Sequence, residues 1–168
     1  METLLSIVIS SPLGLIRMNS DGELITELEF ADEGKEVISS DPTLWQGSPV
    51  LKNAISQLES YFRGELRIFD FPYAQTGTDF QQRVWNELTR IPYGKTISYL
   101  ELSKRLGDPK NIRAAASANG KNKLAIVVPC HRVIGSDGSL TGYAGGLWRK
   151  QWLLEHEGKI ANGEQLLW

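Results

Sequence analysis

The chain has one cysteine, Cys130, and two histidines, His131 and His156, in 168 residues. A single thiol closes no internal disulfide, which excludes a disulfide-stapled secreted scaffold and points to a reducing cytoplasm. One Cys and two His do not fill a structural zinc site, which needs four such ligands. No metal and no cofactor is expected. Long apolar runs are missing as well, so no segment reads as a membrane span. Met1–Gly14 carries Glu2 and no basic flank, and does not read as a secretory signal. Repeats and low-complexity tracts are absent.

A surplus of positive charge is missing too: 18 Lys and Arg face 20 Asp and Glu, for a net charge of −2. That argues against tight electrostatic capture of a polyanion, but the distribution argues differently. Residues 1–80 hold 5 basic and 13 acidic side chains, a balance of −8, and residues 81–168 hold 13 and 7, a balance of +6. Such a split lets one half face nucleic acid while the other points away. Ordinary surface patchiness gives the same split, and charge alone does not choose between them.

The length suits one large domain or two small ones. The first half reads as a small α/β unit. "LLSIVIS" and "LGLIRMNSDGELITELEF" are strand-like, with a hairpin turn at Ser20-Asp21-Gly22. Residues 31–47 read as loop. A helix follows with Leu51, Ile55, Leu58 and Phe62 on one face, Ser48 as N-cap and Pro49 at its first position. "RIFDFPYA" suggests one more strand. Composition and charge change sign at "QTGTD", residues 75–79, placing the boundary between domains 1–76 and 77–168.

The second half reads as mainly helical. Thr78–Gln81 and Ser98–Glu101 fit capping boxes. Gly107 ends the second helix, and Asp108-Pro109 reads as the start of "PKNIRAAASAN", which Asn119-Gly120 ends. Two short helices joined by a tight turn form a helix-turn-helix pattern. The second helix carries Ala114, Ala115, Ala116, Ser117 and Ala118 in a row. Small side chains suit either a buried helix crossing or close approach to a minor groove, with Arg113 the one long cation at the start. "LAIVV" reads as an extended run leading to Pro129-Cys130, and "GLWRKQWLLEHE" as a closing helix stopped by Gly158.

Cys130 is a buried small hydrophobe or a nucleophile. A thiol near pKa ~8.5 is mostly protonated at neutral pH and needs a base to react. His131 is adjacent in sequence, so it serves only through a sharp turn after Pro129 or a bridging water. Glu157 is the candidate to orient the imidazole. At the end of the last helix the macrodipole disfavours a carboxylate, so a compensating partner is implied. Lowering the thiol pKa by about two units corresponds to roughly 2.7 kcal/mol of differential stabilisation, part of which a Glu–His pair supplies. His156 reads as a surface or capping residue.

"PCHRVIG", "GYAGG" and "WLLEHEG", preceded by "ISYLELSKRLG" and "RAAASANGKN", closely resemble the O6-alkylguanine-DNA alkyltransferases, the methylated-DNA–protein-cysteine methyltransferases. The match runs from about Phe80 to Gly158. The resemblance implies an RNase H-like N-terminal domain before a helical, helix-turn-helix domain, an α+β fold overall. It implies irreversible, single-turnover transfer of an alkyl group, mainly methyl, from O6 of guanine in double-stranded DNA to Cys130, with O4 of thymine a further target. His131 acts as base through a water, Glu157 orients it, and Tyr99 donates a proton to the departing guanine. Arg113 fills the gap left by the flipped nucleotide, Asn122 ties the helix pair to the reactive segment, and Ala114 and Ser117 face the groove. The loop Ser139–Gly146, with Tyr143, Ala144 and Gly145, walls the base pocket together with Val133. The protein is expected to act as a monomer without an obligate protein partner. Asn111, Ile112 and Ala125 depart from residues found in some members, which bears on groove fit and on alkyl size. A lesion-binding protein without transfer and a Cys-His hydrolase are the rival functions. The first leaves the alkyl group on the base, and the second turns over repeatedly without needing Arg113.

Overall fold

The computed structural model describes residues 5–31 and 46–163. The loop expected at 31–47 falls largely outside them. The chain divides into two compact units, 1–75 and 76–168.

In the first unit, β1 (Leu5–Ser11), β2 (Gly14–Ser20) and β3 (Ile25–Phe30) form an antiparallel sheet in sequence order. The turn into β3 is closed by Asp21, whose Oδ1 accepts from Glu23 N (2.9 Å) and Leu24 N (2.8 Å). Alternation buries Ile16, Met18 and Ser20 on one face of β2. Helix α1 (Pro49–Phe62) packs on β3, and its Leu51, Ala54, Leu58 and Tyr61 are fully buried. Ser48 caps it by accepting from Leu51 N, with Pro49 at the first position.

The strand expected at "RIFDFPYA" does not form. One isolated parallel bridge joins Ile25 to Tyr73. Gln57 of α1 takes up both backbone groups of Asp70: its Oε1 accepts from Asp70 N (2.7 Å) and its Nε2 donates to Asp70 O (2.9 Å). A side chain thereby supplies the bonds a neighbouring strand would have made.

In the second unit, α2 (Asp79–Leu88) opens with a complete capping box between Thr78 and Gln81. Its buried face is Val84, Trp85 and Leu88, and Trp85 Nε1 donates to the Ala118 carbonyl (2.9 Å) of α4 (Ile112–Gly120). Ser98, at the end of the two-residue strand β4 (Ile97–Ser98), caps α3 (Tyr99–Arg105) through Glu101 N at 3.0 Å. The second half of that box is not made, because the Glu101 carboxylate is turned to Arg105 (3.2 Å). Gly107, at φ 86°, ends α3 with paired bonds from Gly107 N to Lys104 O and Asp108 N to Ser103 O.

Two helix bounds differ from expectation. Asp108-Pro109 does not open α4. The Asp108 carboxylate accepts from Lys110 N (3.1 Å) and its carbonyl from Asn111 N (3.1 Å), closing a turn that delays the helix to Ile112. Gly158 does not end α5 (Leu147–Ala161). The last turn packs against Gly94, where an added Cβ would lie 2.5 Å from Ala161 Cβ. That packing carries the helix across Gly158 against a propensity cost of about 1 kcal/mol.

"LAIVV" is not extended either. Residues 124–128 make a compact buried loop in which Val128 N donates to Leu124 O (2.9 Å) and Ile126 stands at φ 71°. A β-branched residue there is a backbone outlier, and Asn122 holds the loop. Its Nδ2 donates to Val128 O (2.7 Å) and Leu124 O (3.3 Å), and its Oδ1 accepts from Leu124 N (3.1 Å).

Candidate functional site

Pro129 leads into a single 3-10 turn, Cys130–Arg132, followed by β5 (Val133–Ile134), which pairs in parallel with β4. The sharp turn allowed for after Pro129 is present. It buries Cys130, His131 and Arg132 together. Asn119 of α4 donates to the Cys130 carbonyl at 3.4 Å.

The three residues meet α5 at Glu157, which is fully buried. His131 Nε2 lies 2.9 Å from Glu157 Oε2, while Arg132 grips the same carboxylate from Nε (2.8 Å) and Nη2 (3.0 Å). Arg132 Nη1 donates to Ile91 O at 2.7 Å. Burial pushes the Glu157 carboxyl up, but the electrostatic and hydrogen-bonding influence of His131 and Arg132 outweighs it and holds the group well below the usual carboxylate range. Facing an anion, His131 Nε2 carries the proton. The buried Nδ1, which presents a lone pair in the neutral ring, has no hydrogen-bond partner among the described residues. The sequence paired Glu157 with His131 on a premise that was not correct: Glu157 sits one turn inside α5 rather than at its end. Arg132, the second partner, was missed. His156 is buried and stacked on Trp152 with ring centroids 4.7 Å apart, not at the surface.

Burial works against the ionisation expected of the sulfur. Burial raises the Cys130 thiol above its usual value, against the opposing influence of Asn122 and the Lys150 ammonium. Lys150 was not anticipated. Its side chain is fully buried, and Nζ donates to Thr141 O at 2.8 Å and lies 3.5 Å from Tyr99 Oη. Burial lowers its pKa, and an ionised Cys130 would act the other way. Tyr99 Oη donates to the same Thr141 carbonyl (3.1 Å), and burial raises its pKa.

A cleft of about 490 Å³ is lined by Tyr99, Arg113, Tyr143 and Ala144, together with Ile112, Ala116, Gly120, Thr141 and Gly142. That volume suits a drug-sized or base-sized ligand. Arg113 is exposed in the first turn of α4.

Residues 4–75 match the ribonuclease-like domain of 6-O-methylguanine DNA methyltransferase, and residues 79–159 match its DNA binding domain. The methylated-DNA–protein-cysteine methyltransferase of Methanosarcina acetivorans is 46% identical over 151 residues, covering 90% of this chain and 96% of the relative. That of Mycobacterium bovis is 47% identical over 150 residues, covering 89% of each. The chain belongs to the 6-O-methylguanine DNA methyltransferase family. Among solved structures, the O6-methylguanine methyltransferase of Mycobacterium tuberculosis superposes with a TM-score of 0.82 at 42% identity, covering 94% of both chains. The Mycobacterium tuberculosis OGT in complex with DNA superposes at 0.81 with 44% identity, covering 92% and 93%.

Set against this methyltransferase fold, the expected residues fall into two groups. Cys130, His131 and Glu157 converge on one buried cluster, while Tyr99, Arg113, Tyr143 and Ala144 share the cleft. Asn122 shapes the loop before Cys130. Val133 and Gly145 are not cleft-lining residues: Val133 is fully buried in the pairing with Ile97, and the Gly145 carbonyl is bound by Arg149. Ala114 is half-buried and Ser117 exposed on α4, and neither lines the cleft. Ile112, named above for its bearing on groove fit, lines the cleft, as do Thr141 and Gly142 from the loop 139–146. Among the described residues no helix is long and apolar enough to cross a membrane, and no His, Cys, Asp or Glu cluster is set to hold a metal.

Proposed function

We propose that this chain repairs duplex DNA by moving an alkyl group, mainly methyl, from O6 of guanine onto Cys130. The observation that carries the proposal is the Glu157–His131 pair beside the chain's one thiol, with His131 Nδ1 left as a buried lone pair. Glu157 fixes the tautomer, and Nδ1 takes the thiol proton, through a water, as the sulfur attacks the alkyl carbon. The C–S bond forms as the C–O6 bond breaks. The electron pair returns to guanine, which takes a proton from Tyr99 and leaves neutral. The raised pKa of Tyr99 keeps its proton available until then, and Lys150 beside Tyr99 and Cys130 steadies the negative charge that develops on sulfur. Nucleophile, base and acid are all side chains, so the reaction as proposed requires no metal or cofactor.

A base inside the duplex is out of reach, so the target nucleotide rotates out through the minor groove at a cost of a few kcal/mol. Arg113 fills the place it leaves, and the Tyr99–Tyr143 cleft receives the base. Residues 81–168, with their balance of +6, meet the phosphates. O4 of thymine is a second target. The product is a thioether that water does not cleave, so each molecule acts once, as a monomer, in a reducing compartment such as the cytoplasm.

The test is an oligonucleotide carrying isotopically labelled O6-methylguanine, followed by intact-mass measurement and peptide mapping. One methyl per protein on Cys130, and none in Cys130→Ala, is expected. Methyl retained on the base, repeated turnover, or transfer surviving Cys130→Ala would each refute the proposal.

A further inference from the structure

The first turn of α5 places two cations, Arg149 and Lys150, at a helix N-terminus, where the macrodipole disfavours positive charge. Gly146 offers no side-chain cap, and both cations are buried. Each is offset by a loop carbonyl: Lys150 Nζ donates to Thr141 O (2.8 Å) and Arg149 Nη1 to Gly145 O (2.9 Å). The two carbonyls bracket Gly142, Tyr143 and Ala144, three residues of the cleft wall. At the Thr141 end the bracket is shared with Tyr99. At the Gly145 end the guanidinium lies over the Trp148 ring, 4.8 Å from its centroid. Trp148 is itself 57% exposed, a large aromatic left at the surface beneath a buried cation.

We propose that Arg149, seated on Trp148 and bonded to the Gly145 carbonyl, is a positioning residue that fixes the width of the cleft and so the size of alkyl group admitted to Cys130. This rests on Cys130 being the alkyl acceptor. Arg149 takes no part in the chemistry. It holds the far end of the Gly142–Ala144 wall, while Lys150 and Tyr99 hold the near end beside the reacting atoms. Releasing the far end widens the space available to a bulky group more than it affects a methyl.

The test uses free O6-methylguanine and O6-benzylguanine as substrates, which removes DNA binding from the comparison, with the Cys130 adduct counted by mass. In Arg149→Met the benzyl-to-methyl rate ratio is expected to rise about three- to tenfold, the scale on which one ordinary hydrogen bond acts. Arg149→Lys keeps a donor and is expected to fall between Arg149→Met and the parent. Should Arg149→Met fail to fold, Trp148→Ala decides, since it removes only an exposed ring from under the guanidinium. It is expected to move the ratio the same way by a smaller factor. A ratio that stays put or falls, in folded Arg149→Met or failing that in Trp148→Ala, overturns the proposal even if both rates drop together. No Cys130 adduct in the parent protein would instead remove the alkyl-acceptor function on which the proposal stands.

Discussion

Replacing Glu157 by Gln changes one oxygen to NH2 at the centre of the buried cluster. In the parent, Oε1 accepts from Arg132 Nε at 2.8 Å, and Oε2 faces both His131 Nε2 at 2.9 Å and Arg132 Nη2 at 3.0 Å. Gln has a single acceptor oxygen. Whichever way the amide is turned, its NH2 faces at least one N–H, and the Arg132 charge loses its counter-ion. Breaking a buried pair from one side costs about 3–5 kcal/mol. In Glu157→Gln the unfolding transition of the C-terminal unit should therefore drop by about 3 kcal/mol or more at pH 7. Urea titration followed by tryptophan fluorescence reads this directly. The pH dependence supplies a second check. The folded carboxyl lies well below its unfolded value of about 4.3. Its stabilisation is complete above that value and declines as pH falls further, at about 1.4 kcal/mol per pH unit. The gap between parent and variant should narrow by that amount for each unit below pH ~4.3. A variant within about 1 kcal/mol of the parent at pH 7, or a gap that stays constant down to pH ~3, would refute the view that Glu157 is a charged partner of His131 and Arg132.

Three further outcomes are expected. Burial raises the Cys130 thiol, so thiolate absorbance near 240 nm should appear only above the ordinary thiol range of ~8.5; a thiolate signal at pH 7 would contradict the resting thiol described above. Arg113→Ala should slow repair in duplex DNA tenfold or more, on the order of one wedge contact, with little change on the free alkylguanine, and equal slowing on both would remove its role in the duplex. Methylation of Cys130 should lower the melting temperature, since an added methyl in a packed site costs about 1–3 kcal/mol; an unchanged melting curve after full reaction would contradict it.

Much of the site was visible in the residues because the chemistry needs rare ones. A lone Cys followed by His and preceded by Pro, with a carboxylate near the close of the last helix, is a conspicuous combination in a chain with one thiol. The caps at Ser48 and Thr78 were legible because they depend on contacts three residues apart. What escaped depends on distant partners. Gln57 holds Asp70 where a strand was expected, Asn122 folds "LAIVV" into a loop, and packing on Gly94 carries α5 past Gly158. Periodicity reports none of these, since each is made by a side chain or a close approach that only the tertiary fold creates. Lys150 and Arg132 were hidden because long cations read as surface until their carbonyl and carboxylate partners are placed.

The two-rung pairing of β4 with β5 joins Ser98, which caps the helix bearing Tyr99, to Ile134, four residues after the sulfur. Asn119 makes a second tie from the end of α4 to the Cys130 carbonyl. The helix pair and the reactive segment are thus braced as one jig, with little slack for one to move without the other. On the proposed function the protein arrives already set, and the deformation needed for reaction is left to the nucleic acid. Nucleotides already loosened by poor pairing would then be met soonest.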